Sequence, residues 1–511
     1  MDILSFTFYG MMLFAVLLYY STPIKYRWVI LLGFSVYFVL RANGIKLALY
    51  MAFVIVCTYV VSLLLDKYRE KQRLCKAILV LGVVINGTSL ILMKELNFFL
   101  NTTRIAASVF GKVLPLSPVS ILAPLGISYY TLSLTGCLLD VYWGTAKVEK
   151  NVLKLALFAG YFPALVSGPI LRKRESFEAI LEGHAFDYSN FCFGLQRIVW
   201  GMFKKLVISE RLAVIVNTVY GDYYVYSGFY IWVAAVAFLL QLYTDFSGCI
   251  DICLGCSQLF GVTLPENFDL PFLSKNVSEF WRHWHITLGG WLRDYIYYPM
   301  LKSDFIQNIG EYSKKILGKK RGKKIPLYLV TMISWFLIGF WHGGEWNYIF
   351  GVGLFYGMVI VSGQILEPVF KKTITLFQIH TDCFRWQFFQ MARTFFILAF
   401  ANSFFRAVSL KSAFQMWRQA FCNWNPWIFF DESLYNLGLD RREWHILEFS
   451  LLVLIVCGLI RHVTKKTVRQ WLLAQNLLFG WIAFLLLVLS VFIYGYYGPG
   501  FDAQSFIYIQ F

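Results

Sequence analysis

Two of the seven histidines sit where an ionisable side chain is least expected. The first lies in Pro265–Pro299, PENFDLPFLSKNVSEFWRHWHITLGGWLRDYIYYP, a stretch too charged to face lipid and too aromatic to be a solvated linker. Such a segment must be re-entrant, interfacial or buried within protein. Asn276 with Glu279 has the spacing of a capping box, which predicts a helix from Asn276 to about Gly289-Gly290. On that helix Trp281, His285 and Leu288 would share one face while His283 points elsewhere. The second histidine ends the apolar run Pro326–Trp341, in IGFWHGGEWN. Gly343-Gly344 is a helix stop, so His342 is expected in the last turn, at or near membrane depth. A neutral imidazole can take a proton from a hydroxyl as it attacks a carbonyl, typically contributing ~10²–10⁴-fold. Burial would keep His342 a base and a helix C-terminus would raise its pKa; a packing role, with the ring bonded to a carbonyl, competes with both. His184, His380, His445 and His462 lie in polar or loop-like surroundings and are not candidates. The chain has no HExxH or CxxC framework, and His283 and His285 diverge on a helix, so no metal site is expected. Without a G-x-S-x-G elbow or a P-loop, a serine hydrolase and an ATP-driven pump lack support.

The elements that must hold these residues follow from composition. Of 511 residues 58% are hydrophobic, 15% charged and 19% aromatic, and mean hydropathy is +0.60, against roughly 45–50% apolar and 25% charged in soluble proteins. The chain is therefore expected to be an all-α polytopic membrane protein, which excludes disorder, a collagen-like fibre, a secreted disulfide scaffold and an ordinary cytosolic enzyme. The net charge of +17 gathers in short loops, the positive-inside pattern rather than a nucleic-acid surface. Among ten cysteines, Cys57, Cys249 and Cys457 fall inside apolar runs. Cys249, Cys253 and Cys256 share a helical face beside Gly248 and Gly255, which favours close helix packing over a metal or lipidation site.

Without the basic leader and cleavage site of a secretory signal, Ser5–Tyr20 is expected to be a retained first span. Runs follow at Trp28–Leu40, Ile45–Leu65, Ala77–Met93, Ile121–Leu139, Val152–Leu171, Phe193–Val216, Phe229–Phe246, Pro326–Trp341, Tyr348–Ile365, Phe388–Phe405, Leu447–Ile460 and Leu477–Tyr494. At ~20 residues per crossing, about 11–13 transmembrane or re-entrant helices are predicted, several too short or polar to be simple rods. Asp2 before the first span, and the basic clusters Lys67–Lys76, Arg172–Arg174, Lys314–Lys324 and Arg461–Arg469 in cytoplasmic loops, put the N-terminus and the tail from Gly498 outside. No internal repeat is visible, which weakens a transporter built from duplicated halves.

The pieces WRHWHITLGGWLRDYIYYP and FWHGGEWN, with APLGISYYT (Ala123–Thr131), DVYWG (Asp140–Gly144), FPALVSGPI (Phe162–Ile170), QLYTDFSG (Gln241–Gly248), LPENFDLPF (Leu264–Phe272) and the terminal FIYIQF (Phe506–Phe511), resemble the membrane-bound O-acyltransferase (MBOAT) family. The resemblance covers most of the chain and is nearest the alginate O-acetyltransferase-like branch, related to the branch that transfers D-alanine to teichoic acid. It implies helices around a central tunnel, open to the cytoplasm for a thioester donor and outward for a hydroxyl acceptor. N-terminal transmembrane helices would occupy residues 1–116, the catalytic core 117–366, and C-terminal helices with an extracellular tail 367–511. His342 matches the family's near-invariant histidine and His285 a second polar position; His283, where relatives carry Arg or Lys, becomes a spacer or phosphate contact. Trp281, Trp284 and Trp341 would border the tunnel, with Asp245 and the Arg293-Asp294 pair as polar supports. The implied activity is O-acylation, with acetyl-CoA or an acyl-carrier thioester as donor and no metal. The implied acceptor is an extracellular polysaccharide or cell-wall glycan, reached with an extracellular acetyl-esterase-like (SGNH-type) partner from the plasma membrane. The alternatives are D-alanyl transfer to teichoic acid and, from another class, a transporter or flippase of a lipid-linked sugar.

Overall fold

Backbone N–H and C=O groups in hydrocarbon must bond within their own segment, which leaves helices as the element available to a chain this apolar. The computed structural model describes residues 3–498 and Phe506, and every named element among them is helical. Asp2, the tail from Pro499 and the FIYIQF ending past Phe506 lie outside the described residues. Seven described helices are long and apolar enough to span a membrane, or eight if the bent pair Asp304–Gly322 and Ile325–Trp341 counts as one span. The protein is a multi-pass membrane protein.

Several expected spans are joined, shortened or broken. Trp28–Leu40 and Ile45–Leu65 join in Arg27–Lys67, which breaks at Gly44 (φ 69°). Val152–Leu171 becomes Val152–Gly160 and Phe162–Leu165, with Pro163 just inside the second. Phe193–Val216 is helical throughout but carries a π-helical stretch, Phe203–Ser209, between Tyr188–Met202 and Glu210–Gly221. Further π-turns occupy Ile91–Glu95, Arg293–Tyr297 and Ile349–Leu354. Such turns recur at functional sites because each redirects the side chains that follow it.

The chain forms two compact units, each assembled from more than one stretch of sequence. Among the described residues, the first comprises 3–202 and 249–265, and the second 203–248, 266–498 and Phe506. In the first, Arg27–Lys67 packs on Gln72–Leu90, Ile127–Trp143 and Val152–Gly160. Val61, Leu65, Cys75, Leu79, Leu138 and Val141 form a core there, and buried Thr58 Oγ1 donates to Asn86 Oδ1 (3.1 Å). Gly255 lies against the Gly194 carbonyl and Ile198, so the cysteine-rich stretch Cys249–Cys256 serves close helix packing.

The second unit is organised by a helical hairpin. Ile325–Trp341 runs to the tip, and Trp346–Tyr348, the π-turn Ile349–Leu354 and Phe355–Leu376 return beside it. Glycines let the two arms touch: a Cβ on Gly339 would stand 2.7 Å from Ile349 Cα and 3.0 Å from Gly353 Cα. The tip is the sequence His342-Gly343-Gly344, with Gly343 at φ 153° and Gly344 at φ 59°. Asn347 Nδ2 ties it to the end of helix Phe384–Arg406, donating to the carbonyls of Phe404 (3.3 Å) and Ala407 (2.8 Å).

Because backbone atoms cannot rotate out of the way, Gly339→Ala should force the arms apart and cost about 1–3 kcal/mol, whereas Gly363→Ala, with nothing within 4 Å, should be neutral or slightly stabilising. Thermal unfolding of the detergent-purified protein distinguishes them; equal midpoints would refute the close-packed hairpin.

Candidate active site

The stretch around His285 departs from the continuous helix that its capping signal predicts. The N-terminus is as expected: Asn276 Oδ1 accepts from the Glu279 amide (2.9 Å), opening Val277–His283. Trp284 is then extended and forms a bridge with Phe268, His285 adopts the left-handed conformation (φ 47°, ψ 51°), and a new helix, Ile286–Leu292, begins. Trp281, His285 and Leu288 therefore do not share the face of one helix. The break wins because another segment supplies bonds the helix would otherwise make. The Asn267 carbonyl accepts from the Ile286 amide (3.1 Å), and Asn267 Oδ1 accepts from the Thr287 amide (3.0 Å) and hydroxyl (2.9 Å). A non-glycine residue held at positive φ costs on the order of 1–3 kcal/mol and persists only where its surroundings over-determine it.

The same carboxamide sets the chemistry of the ring. A backbone N–H can only donate, so the Asn267 atom facing Thr287 must be the oxygen, and this oxygen also lies 3.3 Å from His285 Nδ1. Nδ1 therefore carries the proton and Nε2 the lone pair. Asn267 is fully buried and His285 nearly so, and burial pushes the imidazole down to about 3. His285 is a neutral hydrogen-bond acceptor through Nε2. Its ring meets Phe246 edge-on (4.8 Å between centroids) and lies 6.1 Å from the Trp341 ring.

His342 approaches the same indole. It is the C-cap of Ile325–Trp341, buried, with its ring 4.9 Å from Trp341 and 5.9 Å from Phe405. The two candidate histidines thus both lie beside Trp341, although they come from segments more than fifty residues apart. A Cβ on Gly343 would strike the Tyr348 ring at 2.6 Å, so glycine is required beside His342 both for space and for its φ.

The other expected residues divide. Trp281 is half-buried against Trp335 and Tyr356, and its indole N–H has no partner among the described residues. Trp284 is buried in an aromatic cluster with Phe268, Phe280 and Tyr243. Asp245, fully buried, accepts from Lys205 Nζ at 2.7 Å, and Lys205 also pairs with Glu210 at 2.7 Å. Arg293 and Asp294 pair with each other (3.2 Å) in the π-turn beyond His285, where Arg293 is exposed. His283 is half-exposed, 3.7 Å from the Asp269 carboxylate, which Arg461 also contacts at 2.7 Å. No group of three His, Cys, Asp or Glu among the described residues could hold a metal ion.

Sequence reasoning missed Asn267, Lys204 and Lys205. Asn267 sits in the LPENFDLPF piece without a charge or periodicity to mark it. The two lysines interrupt an apolar run, which is a signal in itself. Lys204 is buried, donating to Ser247 Oγ (2.9 Å) with its ammonium 6.0 Å from the Tyr243 ring centroid.

Comparisons with known proteins agree with the motifs. The profile of the membrane-bound O-acyltransferase family matches residues 147–311. A probable alginate O-acetylase of Azotobacter vinelandii is 31% identical over 86% of this chain and 81% of its own length. A peptidoglycan O-acetyltransferase of Helicobacter pylori is 28% identical over 66% of this chain and 63% of its own. A teichoic acid D-alanyltransferase of Bacillus subtilis is 28% identical over 50% and 62%.

The Asn267 geometry carries a pH prediction. With a folded pKa far below the ordinary value of about 6.5, His285 should stay neutral, protonated at Nδ1, throughout pH 5–8. The unfolded chain binds the extra proton, so this group's share of stability is complete above about pH 6.5 and is lost as pH falls from there towards 3. Nitrogen NMR of histidine-labelled protein in bilayers reads the tautomer directly, and an imidazolium or Nε2–H signal for His285 at pH 6 would refute it. Asn267→Asp, which sets a carboxylate against Nδ1–H, should move the titration upward.

Proposed function

Since the chain belongs to the membrane-bound O-acyltransferase family, and is an O-acyltransferase, we propose that it carries acetyl groups from cytoplasmic acetyl-CoA across the plasma membrane for O-acetylation of an extracellular polysaccharide or cell-wall glycan. The observation that carries the mechanism is the pair of buried imidazoles beside Trp341. As an acceptor hydroxyl oxygen attacks the thioester carbonyl carbon, a C–O bond forms, the carbonyl electrons move onto its oxygen, and the hydroxyl proton passes to an imidazole. Collapse breaks the C–S bond, and the leaving thiolate takes that proton. The two rings are unequal in this step. A base works best with a pKa near the working pH, and His285, pushed down to about 3, is too weak. His285 Nε2 orients the hydroxyl by accepting its hydrogen bond, and His342 removes the proton.

Acetyl is preferred to D-alanyl because the alginate and peptidoglycan O-acetylases match over more of the chain than the D-alanyltransferases do. An acyl-carrier thioester is the corresponding alternative donor. An extracellular SGNH-type protein would complete transfer to the polymer. Family membership sets aside the flippase reading. The basic clusters Lys67–Lys76, Lys314–Lys324 and Arg461–Arg469 are assigned to the cytoplasm by their charge, and both termini to the outside.

His342→Gln keeps a hydrogen-bonding side chain but cannot accept the proton at neutral pH. It should lower transfer of radiolabel from acetyl-CoA to the membrane fraction by ~10²–10⁴-fold at normal expression; near-normal transfer would make His342 structural. In the same assay His285→Ala should lose far more activity than His283→Ala, expected to stay within about tenfold, since only His285 borders Trp341. For topology, a cysteine placed by Gly318→Cys should react with an impermeant reagent only after cells are opened, and labelling of intact cells would reverse the orientation.

A further inference from the structure

The helix Asp304–Gly322 precedes the spanning helix Ile325–Trp341 and lies at 94° to it. It begins at Ser303, whose Oγ caps the Ile306 amide, and is regular to Leu317, where Gly318 (φ 79°) breaks it. Three faces run along it. Ile306, Gly310 and Ser313 are buried against the protein, with Gly310 so close to Pro326 that a Cβ would stand 2.9 Å from the ring. At 100° per residue, Phe305, Ile309, Tyr312 and Ile316 fall within an arc of about 60°, centred roughly 100° away from that buried stripe. Phe305, Tyr312 and Ile316 are 72%, 67% and 62% exposed. Asn308, Glu311 and Lys315 occupy the remaining side.

Two sides of this helix thus have an evident environment, the protein core and water, and the third is apolar. A helix perpendicular to a span and joined to it by a few residues runs parallel to the bilayer plane. Its apolar stripe then meets the acyl chains and its polar side the aqueous phase, the arrangement of interfacial helices. Charge names the lipid. Lys314, Lys315, Lys319, Lys320, Arg321, Lys323 and Lys324 gather at its end, against Asp304 and Glu311 along it, and Glu311 is already engaged by Lys314 (2.6 Å). A basic cluster beside a span attracts anionic headgroups.

We propose that Asp304–Gly322 is an interfacial helix, with Phe305, Ile309, Tyr312 and Ile316 immersed among acyl chains and the Lys315–Lys324 run holding anionic phospholipid headgroups. This surface is independent of acyl transfer. A photoreactive benzoylphenylalanine in place of Phe305 or Ile316, in the full-length protein in its native membrane, should yield lipid adducts on illumination, and one in place of Asn308 should not. A crosslink to a second copy of the chain, to another protein, or the absence of lipid adducts at positions 305 and 316 would overturn the immersed stripe.

The headgroup half has its own readout. Each lysine near an anionic surface is worth roughly 1 kcal/mol, and 1.4 kcal/mol is tenfold. The combined substitutions Lys315→Gln, Lys319→Gln and Lys320→Gln should therefore lower the preference for phosphatidylglycerol over phosphatidylcholine by roughly 10²-fold. Native mass spectrometry of protein released from mixed nanodiscs measures that preference. An unchanged preference in a variant with an unchanged unfolding midpoint would overturn it, and should the triple variant fail to fold, Lys319→Gln alone decides, with an expected loss of roughly fivefold.

Discussion

A helix that breaks inside a membrane protein strands its backbone amides where no water can reach them, and the site depends on how one such break is repaired. The amides of Ile286 and Thr287 open a new helix directly after the left-handed His285, and both donate to Asn267, one to its carbonyl and one to its side chain. An unmade bond at a buried amide would cost about 1–3 kcal/mol. The position, backbone and proton of His285 are thus fixed by a single residue eighteen places earlier. The backbone repair and the orientation of the ring share the same residue, so the break cannot be relaxed without also losing that orientation.

Buried charge holds the neighbouring helices in a comparable way. Lys205 is enclosed between Asp245 and Glu210, and Arg211 donates to Glu443 (2.6 Å) and to the Tyr494 carbonyl (2.7 Å). Desolvating these groups consumes much of their mutual attraction, so such pairs add little net stability, yet removing one partner leaves an uncompensated charge at great cost. Their effect is to specify arrangement. The π-helical stretch Phe203–Ser209 is buried on every side, so Lys204 and Lys205 both lie in the interior although they are neighbours on the helix, Lys204 bonded to Ser247 and Lys205 to Asp245 and Glu210.

Most of the helical layout was legible because it rests on long-range composition. Leu477–Tyr494 has the same bounds in sequence and structure, and the stop at Gly343-Gly344 follows from glycine's freedom at positive φ. The break at Trp284 and His285 was not legible, because local signals there favour helix and the competing partner is distant in sequence. Val277–His283 and Ile286–Leu292 each read as helix; what separates them is a tertiary bond network that periodicity does not encode. The hairpin contact through Gly339 and Gly353 was hidden for the same reason. His285 was expected on the face of one helix with Trp281 and Leu288; a turn instead places its ring 6.1 Å from Trp341.

The contrast between the two histidines has a physical logic. His285 is surrounded by constraints: positive φ, a carboxamide on Nδ1, an aromatic edge against its ring and no solvent. These hold it neutral, with the proton on Nδ1 and the lone pair on Nε2. His342 ends a helix on two glycines, and its neighbour Gly343 offers no side chain. The place a Gly343 Cβ would take is filled by the Tyr348 ring, so glycine lets that ring close against the backbone beside His342. Rigid placement of polar groups is how orientation becomes rate in general, since aligned reactants have already given up the freedom a bimolecular encounter would lose. The Trp341 ring lies 6.1 Å from that of His285 and 4.9 Å from that of His342, so the break at Trp284–His285 and the glycine stop after His342 deliver the two imidazoles beside one indole.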